Sequence, residues 1–305
     1  MDIEAGVNKV DSGVEDLPKN KCLRIFVTSF HSAVCCYYVL LVSYGLVIGY
    51  NAMTHDNEVV RLLGHYGPAF GTNWNLTFQT VFIFLALTYD ILEWMNKQDT
   101  ERAKKIMYWR DVLYNGLVVP FTLFVTSLFW TVYAIDRELV YPEVFDSVVP
   151  WWFNHCVHTN IAIVVLIETL LTPRRQPTNK SLELKLTTFT SFGYAAIYYS
   201  IYYFTGRWLY NVFGIMTWWQ VSLFQCLIWA SAYFFYFTHF MVNRLFHGSE
   251  DKTAVNKSVT VENNGSTKTV KFGSLQKNTP EESFTSDNWH LKYRSLRDKF
   301  ENSRL

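Results

Sequence analysis

The chain has 305 residues, half of them hydrophobic, and only 17% are charged, whereas a soluble domain carries about a quarter charged residues. The formal net charge of +1 argues against a nucleic-acid partner, which would require a clustered basic face. Polar residues are concentrated in residues 1–24 and 244–305, so the middle of the chain is more apolar than the average indicates. This composition predicts a membrane protein with a polar segment at each end.

Six apolar segments are long enough to cross a bilayer, whose hydrocarbon core requires about 20 apolar residues in a helix. In chain order they cover residues 25–50, 70–92, 112–135, 148–171, 187–206 and 218–243. They predict an all-α membrane protein with six transmembrane helices, which form one domain over residues 25–243. A polar head precedes the first segment and no small-residue cleavage site follows it, so we expect a membrane anchor and not a removable signal peptide.

The basic residues alternate from one connection to the next. The head and the second and fourth connections are rich in Lys and Arg, whereas the first, third and fifth carry one each, namely Arg61, Arg137 and Arg207. The positive-inside rule places basic connections on the cytoplasmic side of the membrane. The pattern therefore predicts that both the N-terminus and the C-terminus are cytoplasmic.

The head, residues 1–24, and the tail, residues 244–305, are expected to be cytoplasmic, and the tail's Ser-, Thr-, Asn- and Lys-rich composition predicts that it is largely disordered. Within the tail, alternating residues around Asn264-Gly265 are typical of a β-hairpin. A stretch near residues 289–300 carries an apolar helical face that could lie on an anionic membrane. Neither pattern identifies a protein partner of the tail.

The fourth segment, PWWFNHCVHTNIAIVVLIETLL, contains Asn154, His155 and His158. Polar groups at membrane depth are costly and often functional. The two histidines are three residues apart, which predicts that they share a helix face, and Thr77 of the second segment is expected at a similar depth. A threonine hydroxyl becomes a nucleophile when a neighbouring histidine takes its proton. The alternative is structural, since such groups also bond backbone carbonyls in membrane helices.

Other ionisable residues suggest different roles. Asp90, Glu93 and Glu168 end their segments near the predicted cytoplasmic surface, where we expect them to be solvated. His31 and His239 lie toward the cytoplasmic ends of their segments, so a haem bridging them is an alternative hypothesis. The spacing of His155 and His158 differs from that of a zinc-binding helix, and no metal site is predicted. A non-enzymatic protein, either a haem-binding redox protein or a signalling scaffold, is therefore the competing class.

Several motifs occur together and in order: WNLTFQT (74–80), RDVLYNGLVVP (110–120), YAIDRELVYP (133–142), VPWWFNHCVHT (149–159) and TGRWLY (205–210). With these motifs the chain resembles a family of intramembrane threonine hydrolases, which includes the androgen-induced protein and the androgen-dependent regulator of tissue factor pathway inhibitor. The resemblance covers residues 26–243. The head and the tail are longer than the usual ends of the family.

The resemblance implies an enzyme that cleaves fatty acid esters of hydroxy fatty acids, with Thr77 as the nucleophile and His158 as the general base. We expect six helices to enclose a cavity that acyl chains enter from the lipid. His155, Asn154 and Asn115 are candidates for orienting the histidine or stabilising the oxyanion. The implied partners are a lipid ester substrate and a membrane, either the endoplasmic reticulum or the plasma membrane. No metal or other cofactor is expected.

Overall fold

The structure is a computed structural model that describes residues 21–174 and 180–247, together with the backbone of residues 259–263 and 266–270. The chain divides into two compact units, Met1–Gly248 and Ser249–Leu305. In the first unit the described chain is helical, with these bounds: α1 Lys21–Met53, α2 Glu58–His65, α3 Gly71–Trp94, α4 Glu101–Leu113, α5 Val119–Ile135, α6 Trp151–His155, α7 Ile161–Leu171, α8 Ser181–Thr205 and α9 Trp218–His247.

Within residues 21–174 and 180–247, five helical stretches are long and apolar enough to span a membrane. They are Lys21–Met53, Gly71–Trp94, Glu101–Ile135, Trp151–Leu171 and Trp218–His247. The interior backbone N–H and C=O groups of a helix pair within that helix, which is what a lipid environment requires. The first unit is thus an integral multi-pass membrane domain, and five of the six predicted spans are found.

The fifth predicted span, residues 187–206, corresponds to α8, which is not among these five apolar stretches. Threonine, serine and tyrosine occupy many of its positions, as in LTTFTSFGYAAIYYSIYYFT, and they lower its mean hydropathy. The helix is nevertheless long enough, with 25 residues, to cross a bilayer. A sixth span, and with it the cytoplasmic position of both termini, stays a prediction.

Two wide π-helical turns interrupt the long helices. Tyr114–Val118 joins α4 to α5, and Cys156–Asn160 joins α6 to α7. Turns of this type are rare and are frequently found at functional sites. The basic second connection is largely helical, because α4 begins at Glu101 behind the capping side chain of Thr100.

The first, third and fifth connections lie at one end of the bundle, which we call the cavity end. Within the first connection, Asn57 caps α2 by accepting bonds from the backbone N–H groups of Val59 and Val60. Gly64 brings α2 against α1, since a Cβ atom there would lie 2.6 Å from the backbone nitrogen of Met53. This contact fixes α2, and with it Glu58, across the cavity end.

The opposite end of the bundle holds a buried cluster of charged groups. His31 contacts Asp90 through Nδ1 at 2.7 Å and Glu168 through Nε2 at 2.9 Å, and Arg174 contacts Glu168 at 2.6 Å. The prediction that Asp90 and Glu168 are solvated is wrong, because both are buried beside these cations. A haem on His31 is not supported either, since both of its ring nitrogens already bind carboxylates.

The second unit is described only by two strands. β1, Val259–Asn263, and β2, Ser266–Val270, pair antiparallel from Val259 opposite Val270 to Asn263 opposite Ser266. The hairpin predicted around Asn264-Gly265 is therefore confirmed as a strand pairing. The turn itself, the predicted amphipathic stretch at 289–300 and most of the head lie outside the described residues.

Candidate active site

The imidazole of His158 lies at the centre of the candidate site. The π turn Cys156–Asn160 carries it into the protein, where only 7% of the residue is exposed. Its ring stacks on Phe129 with the centroids 3.5 Å apart and the planes 11° from parallel. Its Nδ1 atom lies 3.0 Å from the backbone carbonyl oxygen of Asn154. The ring is therefore fixed by a stacking partner and by one hydrogen bond.

The contact with Asn154 determines the tautomer of a neutral His158. A carbonyl oxygen only accepts hydrogen bonds, so Nδ1 must carry the proton and donate it. The other nitrogen, Nε2, is then a free acceptor, and it lies 2.9 Å from the Oγ1 atom of Thr72. The Thr72 hydroxyl donates its proton to Nε2. This arrangement is the one in which a histidine acts as general base toward an alcohol.

Thr72 is the second residue of α3, and its position follows from how that helix begins. Pro68 and a short 3₁₀ turn, Gly67–Ala69, precede the helix, and Phe70 is its extended N-terminal cap. The backbone N–H of Gly71 donates to the Tyr210 hydroxyl at 2.9 Å. A Cβ atom on Gly71 would lie 3.1 Å from the Tyr194 hydroxyl oxygen, so a side chain has little room there.

The structure does not bring Thr77 to His158. Thr77 is exposed, and its hydroxyl donates to the backbone carbonyl of Asn73 at 2.8 Å. A residue five positions beyond Thr72 lies about 140° further around an α-helix and about 7.5 Å further along its axis. The predicted pairing is therefore not found, because matching the depths of two helices says nothing about which way each side chain points.

The three auxiliary candidates are found in three different environments. His155 is exposed, where it stacks on Trp130, and it does not share the buried face of His158. The π turn explains this difference, since it contains more residues per turn than an α-helix and rotates residues three apart away from each other. Asn154 is buried beside His158, and its Oδ1 atom has no hydrogen-bond partner among the described residues.

Asn115 belongs to a separate polar cluster. Its Nδ2 atom donates to Glu183 at 3.0 Å, and its Oδ1 atom lies 3.1 Å from His239 Nε2. Glu183 also accepts a bond from the Tyr236 hydroxyl at 2.7 Å. Both ends of the Asn115 amide are therefore occupied, and the predicted role of Asn115 beside His158 is not supported by its position.

Three cavities in the described part of the chain lie next to one another around Val140 and Tyr210, and one of them is lined by both Thr72 and His158. The His158 cavity, of about 150 Å³, is lined by Thr72, Asn154 and His158 among others. The α5–α8–α9 cavity, of about 90 Å³, begins on the other side of Thr72 and Phe129 and is almost entirely apolar. The Arg207 cavity, of about 330 Å³, lies between α2 and the fifth connection.

The cavities share parts of their walls. Val140 and Tyr210 line all three, and Thr72 and Phe129 line both the His158 cavity and the α5–α8–α9 cavity. Burial raises the pKa of Tyr210, so its hydroxyl keeps its proton at neutral pH. Thr72 and His158 therefore lie beside a junction, formed at Val140 and Tyr210, from which a ligand can extend in three directions.

Thr72 was not among the residues predicted from the sequence, although one feature of the sequence indicated it. Pro68 and Gly71 mark the beginning of α3, and a threonine directly after such a start lies in the first helical turn. In that turn the backbone N–H groups have no intrahelical partners and carry a positive partial charge. This environment favours a developing oxyanion. A threonine in the first turn of the helix was therefore as good a candidate nucleophile as one near the middle of the segment.

The comparison with known proteins agrees with the resemblance. The profile of the family described as FAR-17a/AIG1-like protein matches residues 32–244. The human androgen-dependent TFPI-regulating protein is 30% identical over 60% of this chain and 80% of its own length. The rat protein of the same name is 34% identical over 68% of this chain and 88% of its own.

A third relative carries a different name. The human androgen-induced gene 1 protein is 27% identical over 54% of this chain and 73% of its own length. No solved structure matches the chain. The matched region contains the lining residues of all three cavities together with Thr72, Thr77 and His158, and because it spans more than half of the chain, the protein belongs to the FAR-17a/AIG1-like family.

Proposed function

We propose that this protein is an intramembrane hydrolase that cleaves fatty acid esters of hydroxy fatty acids, with His158 as the general base. The contact that carries the proposal is the 2.9 Å approach of the Thr72 hydroxyl to Nε2 of His158. The family resemblance supports the same class of reaction. The apolar walls of the cavities fit hydrocarbon chains better than they fit a polar substrate.

The geometry favours Thr72 as the nucleophile, whereas the resemblance assigns that role to Thr77. In the proposed reaction His158 Nε2 takes the hydroxyl proton while the threonine oxygen attacks the ester carbonyl carbon. The tetrahedral intermediate collapses, the alcohol leaves with the proton from His158, and an acyl-threonine remains. Water, deprotonated by the same nitrogen, then attacks the acyl group and releases the fatty acid and the free threonine.

The oxyanion would form beside the first turn of α3, where the helix dipole is positive. Asn154 is the other group available to it, since its amide lines the His158 cavity and its oxygen is unpartnered among the described residues. Rotation of that amide would present its NH₂ group as a donor. One such donor typically lowers the barrier by about 3–4 kcal/mol.

The decisive experiment compares Thr72→Ala, Thr77→Ala and His158→Ala with the wild type in membranes of expressing cells. We expect Thr72→Ala and His158→Ala to lower ester hydrolysis at least about 100-fold and to abolish covalent labelling by a fluorophosphonate probe. Thr77→Ala should retain both, because its hydroxyl only bonds its own helix. Thr72→Ser, which keeps a hydroxyl, should retain measurable activity.

The outcomes distinguish two questions, namely which threonine is the nucleophile and whether the protein is a hydrolase. If only Thr77→Ala loses activity, the protein is still a hydrolase, and its nucleophile is Thr77 and not Thr72. Full activity in all three variants, at expression equal to wild type, would remove the Thr–His mechanism, and hydrolysis by wild type no greater than that of membranes without the protein would remove the proposed function. The competing hypothesis, a signalling scaffold, expects all three variants to keep whatever effect the protein has in cells.

A further inference from the structure

The Arg207 cavity differs from the other two in one respect, which is charge. Among the described lining residues of all three cavities, Arg207 and Glu58 are the only ones of the Lys, Arg, Asp and Glu types. Both line the Arg207 cavity, which is also the largest of the three. Among these lining residues, Arg207 is therefore the one guanidinium or ammonium group that a negatively charged ligand can meet.

Arg207 and Glu58 are bonded to each other across that cavity. Arg207 Nη1 lies 2.9 Å from Glu58 Oε1, and the two side chains are 59% and 61% exposed. An ion pair with this exposure contributes only about 0–1 kcal/mol. A guanidinium has five N–H donors, and a single contact to Glu58 leaves others for a second carboxylate. The pair is therefore weak enough for a ligand to replace Glu58 or to join it.

The Arg207 cavity also leads toward the reacting pair. Phe70, the residue before α3, lines both the Arg207 cavity and the His158 cavity. Tyr210 lies in the same connection as Arg207, three residues further along, and it lines all three cavities. A ligand bound with one end at Arg207 would thus extend past Phe70 and Tyr210 toward Thr72 and His158.

We infer that Arg207 binds the free carboxylate of the substrate while the ester lies at Thr72 and His158. This inference rests on the proposed function, since an ester of a hydroxy fatty acid keeps one free carboxyl group and has two further hydrocarbon arms. The two arms occupy the His158 cavity and the α5–α8–α9 cavity. A charged carboxylate is costly away from water unless a cation accompanies it, and Arg207 supplies that cation at the exposed end.

The test compares a fatty acid ester of a hydroxy fatty acid with its methyl ester, in which the carboxylate is neutral, using the full-length protein. We expect wild type to prefer the free acid. Arg207→Gln should raise KM for the free acid about fivefold, which corresponds to the loss of about 1 kcal/mol of binding. Its kcat, and both constants for the methyl ester, should stay unchanged because the reacting pair is untouched.

Two further variants sharpen the comparison. Glu58→Gln removes the competing carboxylate and should lower KM for the free acid while leaving the methyl ester unaffected. Arg137→Gln is the matched control, since Arg137 is an arginine of the third connection that pairs with Asp146 and lines none of the three cavities. It should behave as wild type. If Arg207→Gln keeps the full preference for the free acid, the inference is wrong.

A binding measurement separates this inference from the proposed function. Ether analogues, which cannot be hydrolysed, are prepared with and without the free carboxylate, and their Kd values are measured by tryptophan fluorescence, because Trp208 lines the Arg207 cavity. Weaker binding of the acid analogue alone in Arg207→Gln supports the carboxylate site even if no ester is cleaved. Equal loss for both analogues, or no loss, overturns it even if hydrolysis is found.

Discussion

Among the single residues of the candidate site, Phe129 forms the wall on which the His158 ring rests. The two rings stack at 3.5 Å, and Phe129 separates the His158 cavity from the α5–α8–α9 cavity. Stacking fixes the plane of the imidazole, and the bond to the Asn154 carbonyl fixes its rotation. The direction in which Nε2 points is therefore set by two neighbours, neither of which takes part in proton transfer.

Replacing Phe129 should therefore affect the chemical step more than binding. We expect Phe129→Leu to lower kcat about tenfold with a small change in KM, because a slightly misplaced base reduces the rate steeply. Steady-state kinetics with a lipid ester measures both constants. Phe121→Leu is the control, since Phe121 lines the α5–α8–α9 cavity without stacking on His158. Equal kcat in the two variants would remove the positioning role of Phe129.

The buried ion cluster joins four elements of the first unit. His31 lies in α1, Asp90 in α3, Glu168 in α7 and Arg174 in the segment that follows α7. With both carboxylates ionised and His31 protonated on both nitrogens, the charges of these four groups cancel. Such a cluster holds helices in one arrangement, and removing one member leaves a buried charge without its partner.

His31→Ala should accordingly destabilise the protein by about 3–5 kcal/mol, because the buried carboxylate of Asp90 would lose the cation that it contacts, while Glu168 would keep only Arg174. Thermal unfolding in detergent, or a titration with a denaturing detergent, measures the change. Glu101→Gln is the matched control, as it removes one partner of the exposed pair between Glu101 and Lys104 and should change stability by less than about 1 kcal/mol. A similarly small effect in His31→Ala would contradict the role of the cluster.

Of the two compact units of the molecule, the first contains every group of the candidate site. Helix α9 ends at His247, whose Nε2 atom lies 2.7 Å from the carbonyl oxygen of Thr169, so its last turn is fixed within that unit. The second unit, Ser249–Leu305, supplies none of the described residues that line the three cavities.

Removal of residues 249–305 should therefore leave ester hydrolysis and fluorophosphonate labelling unchanged. The measurement compares the truncated chain with the full chain at equal expression, in isolated membranes. A signalling scaffold that acts through its tail makes the opposite prediction, which is loss of its cellular effect on truncation. Loss of hydrolysis in a truncated chain that still folds would show that the tail contributes to the site.

Membrane-spanning helices could be predicted from the sequence, because they depend on the length of apolar runs. The direction in which a side chain points around a helix axis could not be predicted in this way. Five spans were found because runs such as residues 25–50 are apolar enough to require a membrane. The pairing of Thr77 with His158 was not found, because depth in the bilayer leaves the direction of a side chain open. Asp90 and Glu168 were expected in water because their partners, His31 and Arg174, are distant in sequence.

The meeting of three cavities at Val140 and Tyr210, with a cation in one of them, has a consequence for handedness under the proposed function. In an ester of a hydroxy fatty acid, the carbon that bears the ester oxygen also bears a hydrocarbon tail, an arm ending in a carboxylate, and a hydrogen atom. In the mirror-image molecule the tail and the carboxylate arm exchange places. A site with its single cation in one of three directions can accept only one of these arrangements without separating a charge from its partner, so it would discriminate between enantiomers.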